Sequence, residues 1–400
     1  MNSKNIYMLG IKGVGMTSLA LLYHRMGNTV SGSDVQHEFI TDTVLQKYGI
    51  KVHDGFDASH IAEHFDEIVV SGAHAHTQNV EFNELLKQHI SHKTHAEALG
   101  AVMNHFKLKI SVCGTHGKTT SSSMLATIFA QSHLKGAHHI GVPTFSGLDG
   151  GAYSGDEYII VEADEYANNP FTDKTPRFNF QHPDIIYCTN IDYDHPDIYA
   201  SLAEVQNAFI AFMRNSISQG GKVVYCADDP GMSKVVSELA HDHVFSYGLS
   251  KSADLVVQDV VDDEKVTQFK AVFKGNDMGE YTLQVGGMHN VLNAAGALLT
   301  SQLADLQPEV ARVGLAQFYG SARRFELKTQ HNSTYVYDDY AHHPKEIAAV
   351  VSATRNKFPH HRIVVIFQPH TVSRTNAYAA DFERALQLAD KAYVMSVFYF

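Results

Sequence analysis

The run Cys113-Gly114-Thr115-His116-Gly117-Lys118-Thr119-Thr120 sets two glycines, a lysine and three hydroxyls between an apolar stretch, Leu108–Cys113, and a segment of helical character. A chain in that context can wrap an anion. Glycines let the backbone turn around phosphates, N–H groups at the helix start point at them, Lys118 reaches the terminal phosphates and Thr119 can sit on magnesium. Only Thr115 and His116 separate Gly114 from Gly117, so the loop is shorter than the standard phosphate loop. Alone it reads equally as a glycine-rich turn. Its place between strand and helix favours phosphate.

Two acidic runs follow further strand-like stretches. Val161-Glu162-Ala163-Asp164-Glu165 comes after Tyr158–Val161, and Thr189-Asn190-Ile191-Asp192-Tyr193-Asp194-His195-Pro196-Asp197 after Ile185–Thr189. Either could be a solvated acidic loop. Together with the glycine loop they occupy three strand ends, where open α/β sheets bind ligands, and they offer the hard oxygen donors that magnesium takes. Glu162, His195 and Lys118 are therefore candidates for one Mg-nucleotide site.

Weaker signals surround these. Gly10-Ile11-Lys12-Gly13-Val14-Gly15 follows the first apolar strand, and Ser33-Asp34 ends the second, close to a dinucleotide fingerprint but with G-x-x-G-x-G spacing. The turn could hold a nicotinamide dinucleotide, another diphosphate such as UDP, or nothing. His289, Asn290 and Asn293 open a helix that Asn290 could cap. Arg323-Arg324-Phe325-Glu326 reads by default as a surface ion pair. Asp338-Asp339-Tyr340-Ala341-His342-His343-Pro344 and Phe367-Gln368-Pro369-His370-Thr371-Val372-Ser373-Arg374 each follow a strand. Polar clusters at strand ends point again to a crevice.

Strand and helix patterns alternate throughout, which predicts parallel sheets with helices on their faces. The expected units are 1–104, 105–320 and 321–400. Strands are placed at Ile6–Leu9, Thr29–Ser31, Glu67–Ser71, Leu108–Cys113, Tyr158–Val161, Ile185–Thr189 and Lys222–Tyr225, with a helix at Met16–Met26. Short β elements fill Ser252–Val285, and a helix runs from Asn290. The third unit has Tyr335–Asp338, a helix around Lys345–Lys357, Ile363–Phe367, a helix at Asn376–Leu388 and Lys391–Val397. It is shorter than an α/β domain of usual size and reads as incomplete at Phe400.

A chain of 400 residues with 43 acidic and 31 basic side chains carries a formal charge of −12, the wrong sign for a nucleic acid partner. No apolar run is long enough for a membrane span, and Met1–Asn5 has no basic leader, so a cytoplasmic protein is expected. Cys113, Cys188 and Cys226 have no metal spacing and are expected to be reduced and buried. Most of the 26 histidines are expected in surface or core roles.

In this order the motifs resemble those of the Mur ligase family: Gly10–Gly15, Ser33-Asp34, Gly114–Thr120, Glu162–Glu165, Asn190–His195, His289–Asn293, Arg323–Glu326, Asp338–Pro344 and Phe367–Arg374. The resemblance covers nearly the whole chain. It implies a UDP-binding Rossmann-like domain, a central P-loop ATPase domain and a C-terminal Rossmann-like domain that closes over the site. Gly10, Gly13, Gly15, Ser33 and Asp34 would face the UDP portion of the substrate. Gly114, Thr115, His116, Gly117, Lys118, Thr119 and Thr120 would hold ATP, with Thr119, Glu162 and His195 at magnesium. His289, Asn290 and Asn293 would lie on the nucleotide side, Arg324, Asp339 and His342 would come from the closing domain onto ATP, and His370 and Arg374 would face the muramoyl and amino-acid groups.

The activity implied is ATP-dependent addition of L-alanine to the lactyl carboxylate of UDP-N-acetylmuramate by way of an acyl phosphate, with Lys118, His195 and Arg324 acting on the reacting groups. Two departures bear on the substrates. His95 stands where relatives have arginine, and Glu165–Lys174 is longer than in most alanine-adding members, resembling instead those that recycle murein tripeptide. The tripeptide ligase is therefore the alternative within the class. A nicotinamide-dependent dehydrogenase is the alternative outside it, but it leaves Gly114–Thr120 and Glu162–Glu165 without a use.

Overall fold

The computed structural model describes residues 3–263, 266–370 and 372–397. Thr371 and Phe400, named above, lie outside the described residues.

The first domain alternates β1 (Asn5–Leu9), α1 (Val14–Arg25), β2 (Thr29–Asp34), α2 (Asp42–Lys47), β3 (Lys51–Asp54), β4 (Glu67–Val70), α3 (Val80–Lys87), β5 (Lys93–Thr94) and α4 (His95–Met103). Its sheet has the order β3-β2-β1-β4-β5 and is parallel throughout. β1 is nearly all apolar because both its faces are covered, as parallel strands require. The start of α4 is fixed by a reciprocal cap: Thr94 accepts from the Glu97 N–H and the Glu97 side chain accepts from the Thr94 N–H.

The second domain is built on a ten-stranded sheet. In chain order it contains β6 (Leu108–Cys113), α5 (Lys118–Ala130), β7 (Gly136–Phe145), β8 (Leu148–Tyr153), β9 (Tyr158–Glu162), the small hairpin β10 (Ala167–Asn169) and β11 (Asp173–Pro176), and β12 (Ile185–Cys188). Then follow α6 (Leu202–Ser218), β13 (Lys222–Cys226), α7 (Met232–Ser237), β14 (Val244–Gly248), β15 (Leu255–Asp262), β16 (Thr267–Phe273), β17 (Asn276–Leu283), α8 (Met288–Leu303) and α9 (Pro308–Gln317). The sheet order is β17-β16-β15-β14-β13-β12-β6-β9-β7-β8. β6 lies between β12 and β9 with all three parallel, so Cys113, Glu162 and Cys188 deliver their following loops to one edge. α5, α8 and α9 cover one face and α6 lies with α7 in the other core.

The third domain has β18 (Glu326–His331), β19 (Thr334–Asp338), α10 (Pro344–Lys357), β20 (Val364–Phe367), α11 (Val372–Ala377), α12 (Ala379–Leu386) and β21 (Lys391–Val394). Its core gathers Ile347, Val351, Ile363, Phe367, Phe382 and Leu386.

Most strands fall where periodicity put them, and the β-rich stretch is the β15–β17 meander. The differences have local causes. β2 runs on to Asp34 because Ser31 to Asp34 pair with β3. The hairpin of β7 and β8 was not expected. Its glycines pack against α1, where a Cβ on Gly151 would stand 2.0 Å from the Ser18 carbonyl oxygen. α8 begins at Met288 after Gly287, so Asn290 is inside the helix and sends its amide back to the Gly286 carbonyl instead of capping. The helix expected over Asn376–Leu388 is divided at Tyr378 into α11 and α12.

The first two domains are tied together at Asp149, whose buried carboxylate receives Arg25 (2.6 Å), Lys47 (3.0 Å) and the Tyr48 hydroxyl (2.5 Å). All three cysteines are buried and free. No helix among the described residues is long and apolar enough to cross a membrane.

Candidate active site

From the end of β6 the chain turns through Gly114 and Gly117, with φ of 126° and 81°. The first position also has no room for a side chain, since a Cβ there would stand 2.1 Å from Thr189 Oγ1. The turn is pinned from β12: Asn190 Oδ1 accepts from the His116 N–H, and Thr189 Oγ1 and Asn190 Nδ2 both donate to the His116 carbonyl.

Lys118, the first residue of α5, points back into this loop. Its ammonium donates to Glu165 at 2.9 and 3.2 Å and to the Gly114 carbonyl at 2.5 Å. Burial works against the ammonium, but Glu165, Asp164 and Glu162 more than offset it and raise its pKa above the ordinary lysine value. Thr119 Oγ1 donates to Glu162 Oε2 at 3.2 Å, and Glu162 also accepts from the Gly141 N–H at 2.7 Å. Burial raises the Glu162 carboxyl's pKa despite these bonds and the nearby Lys118. That environment favours a cation.

Asp164, Glu165 and His195 bring one ligand atom each to within 4.8 Å of one another. His195, at φ 56°, lies 3.7 Å from Glu165 Oε1 and packs on the Tyr166 ring at 4.7 Å. Arg177 pairs with Asp164 at 3.0 Å. Burial alone would raise Asp164, but Arg177 and Lys118 bring it below the usual carboxylate range.

The third domain is docked on this edge. Arg374 is buried and forks onto Asp194, Glu346 accepts from His116 Nδ1 at 3.1 Å, and the Tyr378 hydroxyl donates to the Tyr193 carbonyl at 2.7 Å. Burial opposes a charge on His116, yet its contacts with Asp192 and Glu346 raise its pKa to about 9. Burial prevails at His342 and His343 and lowers both to about 4, although Glu346 works against it at His342 and the positive His116 adds to it at His343.

A cleft of about 920 Å³ lies between the second and third domains, lined by Gly117, Thr120, Asn290, Asn293, Arg324 and Asp339 among others. His116 and His289 line it as well. The structure thus brings Gly117, Lys118, Thr119, Glu162, His195, Asn293 and Arg324 around one edge. Asp339, in the cleft lining, also accepts from the Phe325 N–H next to Arg324 and from the Ala341 N–H of its own loop, both at 2.7 Å. His342 turns its Nδ1 to the Tyr340 carbonyl, and His370 lies with its ring 6.1 Å from that of His342.

In the first domain, Gly10 bends at φ 83° and Gly13 precedes α1. Ser33 and Asp34 are buried and used internally. Ser33 donates to Glu81 at 2.6 Å, and Asp34 accepts from the Lys12 N–H at 2.7 Å and the Val35 N–H at 2.8 Å. Asp34 therefore braces the glycine turn instead of projecting from it. His95 lies beside Gly15, its Nε2 3.3 Å from the Gly15 carbonyl and 3.1 Å from His139 Nε2.

Four residues of this architecture had gone unnoticed: Glu346, Lys345, Arg177 and Tyr378. Only Glu346 had a local signal, standing three residues after His343 in a reciprocal helix cap.

Family comparisons agree with this arrangement domain by domain. Residues 5–107 match the Mur ligase family catalytic domain, 112–301 the Mur ligase middle domain and 323–397 the Mur ligase glutamate ligase domain. The UDP-N-acetylmuramate–L-alanine ligase of Streptococcus gordonii is 34% identical over 99% of this chain and 84% of its own length. That of Lactobacillus helveticus is 32% identical over 99% of this chain and 85% of its own. Among solved structures, the UDP-N-acetylmuramate-alanine ligase of Thermotoga maritima superposes with a TM-score of 0.82 at 27% identity, covering 99% of this chain and 86% of that one. A murein peptide ligase of Psychrobacter arcticus shares the fold with a TM-score of 0.77 at 23% identity, covering 98% of this chain and 91% of that one. The three domains and the phosphate loop define an ATP-dependent ligase architecture. The chain belongs to the Mur ligase family. The nicotinamide alternative built on Gly10–Gly15 is thereby set aside.

Proposed function

We propose that the protein joins L-alanine to the lactyl carboxylate of UDP-N-acetylmuramate at the expense of ATP, through an acyl phosphate, and does so in the cytoplasm. The observation that carries this reading is the convergence of Lys118, Glu162 and His195 on one sheet edge with the third domain docked over it. The names of the relatives at 32% and 34% identity supply the substrates.

Residues 114–120 would cradle the ATP phosphates, with Lys118 exchanging Glu165 for phosphate oxygens. Thr119, Glu162 and His195 suit magnesium: a hydroxyl and a buried carboxylate already in contact, and an imidazole in a cluster of carboxylates. Bound there, magnesium would neutralise charge on the transferred phosphoryl group. His289, Asn290 and Asn293 would border the nucleoside, with Arg324 over the phosphates from the closing side. Gly10, Gly13 and Gly15 would meet the UDP diphosphate at the start of α1. Docking of the third domain excludes water, which would otherwise hydrolyse the acyl phosphate before the alanine amine attacks it. His370, at the rim beside His342, would face the amino-acid side. Arg374 would serve the same side while seated on Asp194.

One feature favours the tripeptide reading. The β10–β11 hairpin leans on the first domain, where the Asn169 amide donates to the Ala75 carbonyl at 3.1 Å and the exposed Phe171 ring meets that of His76 at 5.6 Å. Phosphate release from ATP and magnesium with UDP-N-acetylmuramate decides between them. Release that requires L-alanine supports the proposal, and release only with tripeptide overturns the choice of acceptor.

A further inference from the structure

Between the second and third domains lies a cluster in which His116, whose backbone belongs to the phosphate loop, meets Asp192 and His343, two residues to which the proposed reaction gives no role. His116, Asp192 and His343 each bring one ligand atom to within 4.8 Å of the others, and His116 Nε2 lies 3.7 Å from Asp192 Oδ2. His116 Nε2, Asp192 Oδ2 and His343 Nε2 are all buried, and neither imidazole nitrogen has a hydrogen-bond partner. His343 is only 3% exposed, so an unpartnered polar atom at its inner end is costly unless something meets it. Asp192 Oδ2 is met by the Lys345 ammonium at 2.5 Å, and that side chain is 68% exposed and free to swing outward.

The surroundings are organised as a metal site would be. Glu346 takes the Nδ1 side of His116 at 3.1 Å, which turns Nε2 toward the cluster, the carboxylate-to-imidazole arrangement that orients metal ligands. Glu346 is itself held by the N–H groups of His342 and His343, at 3.0 and 3.1 Å. Asp192 Oδ1 is occupied by the Tyr193 N–H at 2.9 Å, leaving Oδ2 to face inward. We propose that His116, Asp192 and His343 form a bridging site for a zinc-class divalent metal, distinct from the magnesium-type carboxylate group at Asp164, Glu165 and His195.

Two imidazoles and one carboxylate select zinc, cobalt or nickel over magnesium, which prefers oxygen ligands and retains its waters. Water would complete a tetrahedron. Two terms oppose binding: His116 must release its Nε2 proton, and the long 3.3 Å bond from the Lys345 N–H to His343 Nδ1 must be given up. One ligand belongs to the phosphate loop, one follows β12 and one starts α10. A metal there clamps the third domain shut, so zinc acts as an inhibitor by preventing the opening that releases product.

Cobalt(II) titrated into the full chain, without nucleotide and with magnesium in excess, tests this through the strong visible absorption of a tetrahedral site. One equivalent is expected to bind, with zinc displacing it. His343→Ala and His116→Gln should each abolish the absorption, Glu346→Gln should weaken binding by about tenfold, and His195→Ala should leave it in place. Circular dichroism confirms that each variant is folded. Absorption that survives in both folded histidine variants, that disappears in His195→Ala, or that never develops in the unaltered chain overturns the proposal.

Discussion

Arg374 Nη2 lies 2.9 Å from Asp194 Oδ1 and 3.0 Å from Asp194 Oδ2, a forked ion pair that spans the boundary between the third and second domains. Both side chains are less than one-tenth exposed. Because Asp194 follows β12 and Arg374 stands in α11, the pair forms only when the domains are docked. Its energy therefore weights the closed state more than the folding of either domain.

Truncating one partner leaves the other charge buried without compensation, which costs about 3–5 kcal/mol. Arg374→Ala should thus open the molecule, raising its radius of gyration in small-angle scattering and lowering turnover by about 100-fold or more. Asp194→Asn should do the same, and the double variant should be little worse than either single one. Independent, additive losses would mean that the two act separately.

Lys118 supports both structure and chemistry. Its contact with Glu165 neutralises a carboxylate that is 2% exposed. Lys118→Met is expected to lower phosphate release by at least about 100-fold, the loss seen when a group aimed at developing charge is removed. It should also lower the melting temperature, because Glu165 loses its cation. Adding Glu165→Gln should restore the melting temperature without restoring turnover. Full activity in Lys118→Met would remove the phosphate loop from the mechanism.

Two groups of histidines predict opposite responses to pH. Burial lowers His138 and His139 to about 4, against about 6.5 in an unfolded chain. Between these values the unfolded state binds more protons, so stability falls as pH drops from about 6.5 towards 4, by roughly 3 kcal/mol for each group. His116 has the reverse sign. Its pKa of about 9 gives a contribution that is full below about 6.5 and is lost as pH rises through 9. Urea midpoints measured from pH 4 to 9 should therefore pass through a maximum, and His116→Gln should flatten only its alkaline side. A loss of the acidic side in that variant would contradict the assignment.

The sequence carried the strand-to-loop transitions well, because a buried parallel strand is a short apolar run and the loop after it is abruptly polar. Leu108–Cys113, Tyr158–Glu162 and Ile185–Cys188 all have that form, and with them Lys118, Glu162 and His195 could be placed on one edge. What periodicity could not carry was partnership. Nothing local to Asp34 distinguishes a carboxylate that braces its own turn from one that projects to a ligand, and only the fold sets it under the Lys12 N–H. The docking residues Glu346, in the first turn of α10, and Tyr378, in the turn between α11 and α12, carry no local sign of a distant partner, so their contacts with His116 and Tyr193, 230 and 185 residues distant, were not legible. The β7–β8 hairpin was hidden because Gly150 and Gly151 weaken the strand pattern while serving close packing on α1.

The turn bearing Arg324 offers the sharpest distinction between a group that binds and one that positions. Arg323 and Phe325 both adopt positive φ, 58° and 49°, on either side of it. Such conformations are unfavourable for side chains of this size and persist only where the surroundings hold them. Asp339 supplies that hold through the Phe325 and Ala341 N–H groups, and the Phe325 ring stacks on Tyr337 at 4.2 Å. If Arg324 meets ATP and Asp339 only fixes its turn, Arg324→Ala and Asp339→Ala should each raise the KM for ATP, and the double variant should match Arg324→Ala to within about 0.5 kcal/mol. Asp339→Asn, which keeps an acceptor oxygen, should recover part of the loss. Additive effects in steady-state kinetics would instead place the Asp339 carboxylate itself on the nucleotide.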